Sequence, residues 1–200
     1  MEDIYHTIKK PTEAVLLKER KSKFYGHAFP IESETDINPI LETLRSQYPT
    51  ANHLCYAWQL GIEQKRYRAN DDGEPNNSAG MPIYGQLQSF DLTNVLVVVV
   101  RFFGGTKLGV GGLISAYKET AKLTLEQASI VERFLEEQLL LKCEYPEMSV
   151  VMRMLDKYQM KLIKQELAES CQFLVSVRKS EVAKLKKSLK PYHKIQVEIK

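Results

Sequence analysis

The densest chemical signal in the chain is the stretch Gly104-Gly105-Thr106-Lys107-Leu108-Gly109-Val110-Gly111-Gly112, with five glycines in nine residues. Glycine permits backbone angles and close approaches that side chains forbid. At the head of a helix such a loop turns free N–H groups and the positive end of the helix dipole outward, which suits phosphate or carboxylate. Gly104, Gly105, Gly109, Gly111 and Gly112 would offer the backbone, and Thr106, Lys107 and Ser115 side-chain donors, with Arg101 adding a cation at the end of the preceding strand. The competing reading is that the glycines only allow a tight strand-to-helix turn. No glycine is followed by Lys-Ser or Lys-Thr, and Gly109-Val110-Gly111 lacks the third glycine of a dinucleotide fingerprint, so neither ATP nor NAD is implied.

Asp71, Asp72 and Glu74 place three carboxylates within four positions, a density that binds a hard cation, accepts protons, or holds the N–H groups of its own loop. The spacing is not that of an EF-hand. His53 and Cys55 stand parallel on one strand face with no third group to orient them, so no catalytic residue and no metal ligand is assigned. Lys184 and Lys187, with neighbouring lysines on one face of a C-terminal helix, could track a phosphate backbone, or be an ordinary solvated face.

The elements that must position these groups are legible in the hydrophobic pattern. Val95–Val100 is apolar throughout and too short for a helix core, so it reads as a central strand buried on both faces. It leads through the glycine loop into a helical stripe of Leu113, Tyr117, Ala121, Leu125 and Ala128. Ala14–Leu17 and Phe24–Phe29, separated by the charged Lys18–Lys23, read as paired strands, and Asn52–Leu60 as another. Ile37, Ile40, Leu41, Leu44 and Tyr48 make an amphipathic helix with Asp36 as N-cap. Residues 65–82 read as one long functional loop. From about residue 135 the order is strand, helix, strand, strand, helix, strand: the ferredoxin-like βαββαβ arrangement. The chain therefore reads as α+β with two domains, 1–134 and 135–200.

Composition sets the outer limits. With 44% apolar and 26% charged residues, 200 residues can bury a core without a cofactor or metal. The longest apolar run is far short of a membrane span, and Met1–His6 is acidic rather than signal-like, so the expectation is a cytoplasmic protein with no membrane partner. Cys55, Cys143 and Cys171 are too dispersed for a disulfide framework and read as buried thiols. Residues 1–134 hold 15 basic and 16 acidic side chains, and 135–200 hold 13 and 9, so the mild basic excess lies at the C-terminal end.

Taken together, Asp71-Asp72-Gly73-Glu74-Pro75, Ala79-Gly80, Arg101-Phe102-Phe103-Gly104-Gly105-Thr106-Lys107-Leu108-Gly109, Gly111-Gly112-Leu113 and Ala116-Tyr117 resemble the signature of the YigZ/IMPACT family. Lys21-Ser22-Lys23-Phe24 and His53-Leu54-Cys55-Tyr56-Ala57 extend the resemblance over most of residues 15–130. One departure is Asn76-Asn77-Ser78, where the family shows small residues. The resemblance implies a first domain like the second domain of a small-subunit ribosomal protein (S-five type) and a last domain resembling a late domain of elongation factor G. It further implies work on RNA or the ribosome in the regulation of translation. The resulting expectation is a non-catalytic protein binding nucleic acid or a phosphate ligand. Two alternatives are a metal-assisted hydrolase built on the Asp-Asp-Gly-Glu loop and a regulator acting through protein partners in translation.

Overall fold

Val95–Val100 is β-branched except at Leu96, and such residues fit a pleated surface packed on both sides. The computed structural model, which describes residues 3–200, places this run at the centre of the larger sheet. In chain order the elements are β1 (Ile4–Ile8), β2 (Val15–Glu19), β3 (Ser22–Pro30), α1 (Ile37–Gln47), β4 (His53–Leu60), β5 (Arg66–Asn70), α2 (Gly80–Ser89), β6 (Val95–Phe102) and α3 (Gly109–Glu126). They continue as β7 (Ile130–Phe134), β8 (Glu136–Cys143), α4 (Met148–Lys157), β9 (Lys161–Leu167), β10 (Cys171–Arg178), α5 (Lys179–Leu189) and β11 (Gln196–Ile199).

The described chain divides into two compact units. One comprises Tyr5–Arg133, and the other Phe134–Lys200 with residues 3–4. In the first, five strands run in the order β2-β3-β6-β4-β5, every neighbour antiparallel. The period of two in each strand sorts its side chains between two cores. Val95, Val97, Val99, Cys55 and Ala57 pack with Phe24 against residues of α2 and α3, among them Ile83, Leu87, Leu113 and Tyr117. Leu96, Val98, Val100, Leu54, Tyr56 and Trp58 pack on the other face against Ile37, Leu41 and Leu44 of α1.

The second unit is a βαββαβ fold with sheet order β11-β8-β10-β9, all neighbours antiparallel, which is the ferredoxin-like arrangement. Its core gathers Leu139, Leu141, Phe173 and Val175 from the strands with Val151, Leu155, Leu185 and Leu189 from α4 and α5. All three cysteines are free and buried, and Cys143 and Cys171 face each other across β8 and β10.

Two sequence expectations need correction. Residues 65–82 are not one loop. Arg66–Asn70 is the edge strand β5 on β4, and α2 begins at Gly80. β5 escaped notice because it carries no alternating apolar residues, and α2 because Gly80 and Pro82 sit in its first turn, where proline is tolerated. Asp36 does not cap α1 with its side chain; its carboxylate turns back to accept from the Glu32 and Ser33 N–H groups at 2.8 and 2.9 Å.

Candidate functional site

The glycine loop stands on a buried polar layer. Arg101, at the end of β6, pairs across the sheet with Phe24 of β3 and His53 of β4 and is only 5% exposed. Its guanidinium lies between the rings of Phe24 and Phe103, 5.4 and 5.6 Å from their centroids. A buried guanidinium requires a counter-charge, and Glu74 supplies it: Nη1 donates to Glu74 Oε1 at 2.6 Å. The same oxygen accepts from the Tyr117 hydroxyl at 2.7 Å. Arg101 Nη2 reaches Ser22 Oγ at 3.4 Å, while Nε has no partner. Arg101 therefore faces inward and fastens the loop to the sheet, rather than standing at the strand end as a surface donor.

The acidic loop is committed in the same way, each carboxylate to different partners. Asp71 accepts from the N–H groups of Asn77, Ala79 and Gly80 at 2.8, 3.0 and 2.8 Å and so holds the entry to α2. Asp72 Oδ2 accepts from the Leu54 N–H at 2.7 Å, and Arg45 lies 3.9 Å from its other oxygen. Glu74 is spent on Arg101 and Tyr117. His53 Nδ1 is 2.9 Å from the Asp72 carbonyl oxygen, with Nε2 3.9 Å from Glu74. Cys55 lies 3.0 Å from the Asp71 carbonyl oxygen and 3.3 Å from Tyr117 Oη, and burial pushes its thiol well above the ordinary range. No group of three or more His, Cys, Asp or Glu residues among those described could hold a metal ion. The convergent carboxylates that a metal-assisted hydrolase needs are not formed, because the backbone and Arg101 have claimed them.

Above this layer the loop opens outward. Gly105, Thr106, Lys107, Gly109 and Gly111 are exposed, as is Ser115 further along α3; Gly112 is half-buried against Leu108. No side chain caps α3, so the N–H groups of Gly109, Val110 and Gly111 keep the free donors that every helix N-terminus has, while the Gly112 N–H is taken by the first turn of the helix and is not available to a ligand. Gly105 and Gly109 have φ of +84° and +72°, a region that other residues enter only with strain, and nothing lies within 4 Å of where their side chains would be. Gly104 is different. A methyl there would meet the Lys21 carbonyl carbon at 2.0 Å, so this glycine serves contact with the β2–β3 hairpin.

That contact brings in residues the sequence reading left out. The hairpin turns through Arg20 and Lys21, both with positive φ (42° and 68°), and the Gly104 N–H donates to Ser22 Oγ at 3.2 Å. Lys18, Arg20, Lys21 and Lys23 are all exposed, and Lys18 and Lys23 are direct cross-strand partners, a like-charge pairing that costs stability. Phe103, 44% exposed, stands beside them with its N–H held by Asn52 Oδ1 at 2.8 Å. The usable signal in the sequence was four cations within the six residues 18–23. Lys184 and Lys187 belong to the other unit, exposed on α5, where Lys184 is paired with Glu181 at 2.8 Å.

Comparison with known proteins follows the same residues. Positions 20–125 match the Impact N-terminal domain family. The chain is 32% identical over 177 residues to IMPACT family member YvyE of Bacillus subtilis, covering 88% of this chain and 81% of that one. An IMPACT family member of Haemophilus influenzae is 30% identical over 180 residues, covering 86% and 85%. Among solved structures, the crystal structure of a hypothetical protein superposes with a TM-score of 0.70 at 25% identity, covering 98% of this chain and 97% of that one. The chain belongs to the IMPACT family.

Proposed function

We propose that the N-terminal unit is a non-catalytic binding module for the phosphate backbone of single-stranded RNA. The observation that carries this reading is the contact of Gly104 with Lys21, which joins the hairpin bearing four cations to the glycine loop that holds Lys107 and leads into α3. Cations and free amides along one surface follow a phosphate chain, and an exposed aromatic ring lets a base stack. Phe103 offers such a ring. The cross-strand pair Lys18 and Lys23 costs folding energy that a polyanion would recover.

The resemblance noted in the sequence extends this reading to the translation machinery. On it, the first unit is like the second domain of a small-subunit ribosomal protein and the second like a late domain of elongation factor G, and the protein acts in the cytoplasm on RNA or ribosomes. No helix among the described residues is long and apolar enough to cross a membrane.

Crosslinking in cells followed by sequencing of the attached RNA tests the proposal. The expected result is recovery of RNA through peptides containing Phe103 or Lys107, strongly reduced by Gly111→Val, which places a side chain over the amides where the structure leaves open space. Recovery of protein partners without RNA would overturn it.

A further inference from the structure

We propose that β9 is a self-complementary sheet edge through which two copies of this chain pair antiparallel, with the two-fold axis on Gln165. β9 is the rim of its sheet, so one row of its backbone groups has no strand partner among the described residues. All seven of its residues are exposed, and Leu162, Ile163 and Leu167 keep 41%, 45% and 48% of their surface in water. An apolar rim of this kind is a template for strand addition.

What fixes the occupant as a second copy is the order Lys161-Leu162-Ile163-Lys164-Gln165-Glu166-Leu167-Ala168-Glu169. With Gln165 set against Gln165 of the other copy, Lys164 faces Glu166 and Ile163 faces Leu167, in both directions. The match ends there, because Ala168 and Glu169 lie beyond β9 in the turn to β10. Moving the axis to Lys164 sets two ammonium groups face to face. Half-step shifts put Ile163 against Glu166, or Lys164 against Leu167. Of these registers, the one on Gln165 alone joins each charge to its opposite and each apolar residue to another, the pairings that stabilise antiparallel strands.

The geometry of β9 agrees. Lys164 and Glu166 are ion-paired within the strand, and their partners on β10, Leu174 and Gln172, alternate with the buried Phe173, so both charges lie on the sheet face away from the core. Facing their mates, they would complete an alternating cluster of four charges. The register shift between Leu174 and Val175 leaves Ile163 as the extra residue of a bulge. The regular part of the match is therefore Lys164–Leu167, with Ile163 closing each end.

Sedimentation velocity of the full chain over a concentration series, with Lys164→Glu and the swap Lys164→Glu/Glu166→Lys, tests this. The wild type is expected to form a dimer whose fraction rises with concentration. Lys164→Glu turns both symmetric attractions into repulsions and should weaken association by about tenfold or more, and the swap should restore it. Circular dichroism and the unfolding midpoint confirm that each exposed substitution leaves the fold intact. A wild-type monomer across the series, a single variant that associates as the wild type does, or a swap that fails to restore pairing would each overturn the proposal.

Discussion

Gly104 and Lys21 meet backbone to backbone, so closely that a methyl on Gly104 would fall 2.0 Å from the Lys21 carbonyl carbon. Two segments far apart in sequence are thereby joined into one surface. Gly104→Ala is predicted to cost about 2–4 kcal/mol, because only backbone atoms stand in the way and they cannot step aside like a flexible side chain. Gly111→Ala meets nothing within 4 Å, and it removes a helical glycine. It should stabilise by roughly 0.5–1 kcal/mol. Denaturant unfolding of the two variants checks the contrast.

Glu74 and Arg101 form a pair in which both side chains are almost wholly buried. Removing one partner strands the other, so Glu74→Ala should lose about 3–5 kcal/mol, whereas Glu74→Ala with Arg101→Met should recover much of that loss. A double-mutant cycle from urea midpoints measures the coupling. Additive losses would show that the pair does not hold the loop.

His27 supplies a pH dependence. Its ring is buried, with Nε2 3.0 Å from Tyr48 Oη, and burial lowers its pKa below the ordinary 6.5. The unfolded chain then takes up a proton that the folded chain resists. Stability is full above about pH 6.5 and is lost as the pH falls towards the folded value. His27→Gln, which keeps a polar partner for Tyr48, should flatten the stability curve between roughly pH 7.5 and pH 5. Asp36 acts in a separate window: the Glu32 and Ser33 N–H groups hold its pKa below 3.8, so its contribution is lost only in stronger acid.

The thiols should be silent in the native protein. Burial pushes Cys55 well above its ordinary value and Cys143 up to about 11, and all three cysteines are buried. A thiol reagent near neutral pH should therefore modify them only as fast as the chain opens, and at once in denaturant. Rapid reaction of any one in the folded state would contradict the packing described here.

How far the sequence could be read follows from which forces leave a local pattern. β6, α1, β4 and the βαββαβ unit were legible because burial imposes a period on their own residues: Val95–Val100 on two faces, Ile37 to Leu44 on one. β5 was not, since Arg66–Asn70 is a strand only by pairing with β4. The glycine loop announced itself by composition. The role of Arg101 did not, because its direction is set by Glu74, far along the chain, and by the rings of Phe24 and Phe103. The hairpin cations looked like a polar connection until Gly104 placed them beside the loop.

Phosphate binding by the glycine loop and the hairpin shows in the salt dependence of single-stranded RNA binding, followed by fluorescence anisotropy for the wild type, Lys107→Ala and Lys21→Ala. With several phosphate contacts, affinity should fall by about 10–100-fold between roughly 50 and 200 mM salt. Each substitution should weaken binding and lower the slope of log affinity against log salt by about 0.7. Absence of binding at low salt, or a slope that neither substitution changes, would rule out a phosphate-binding role for this surface.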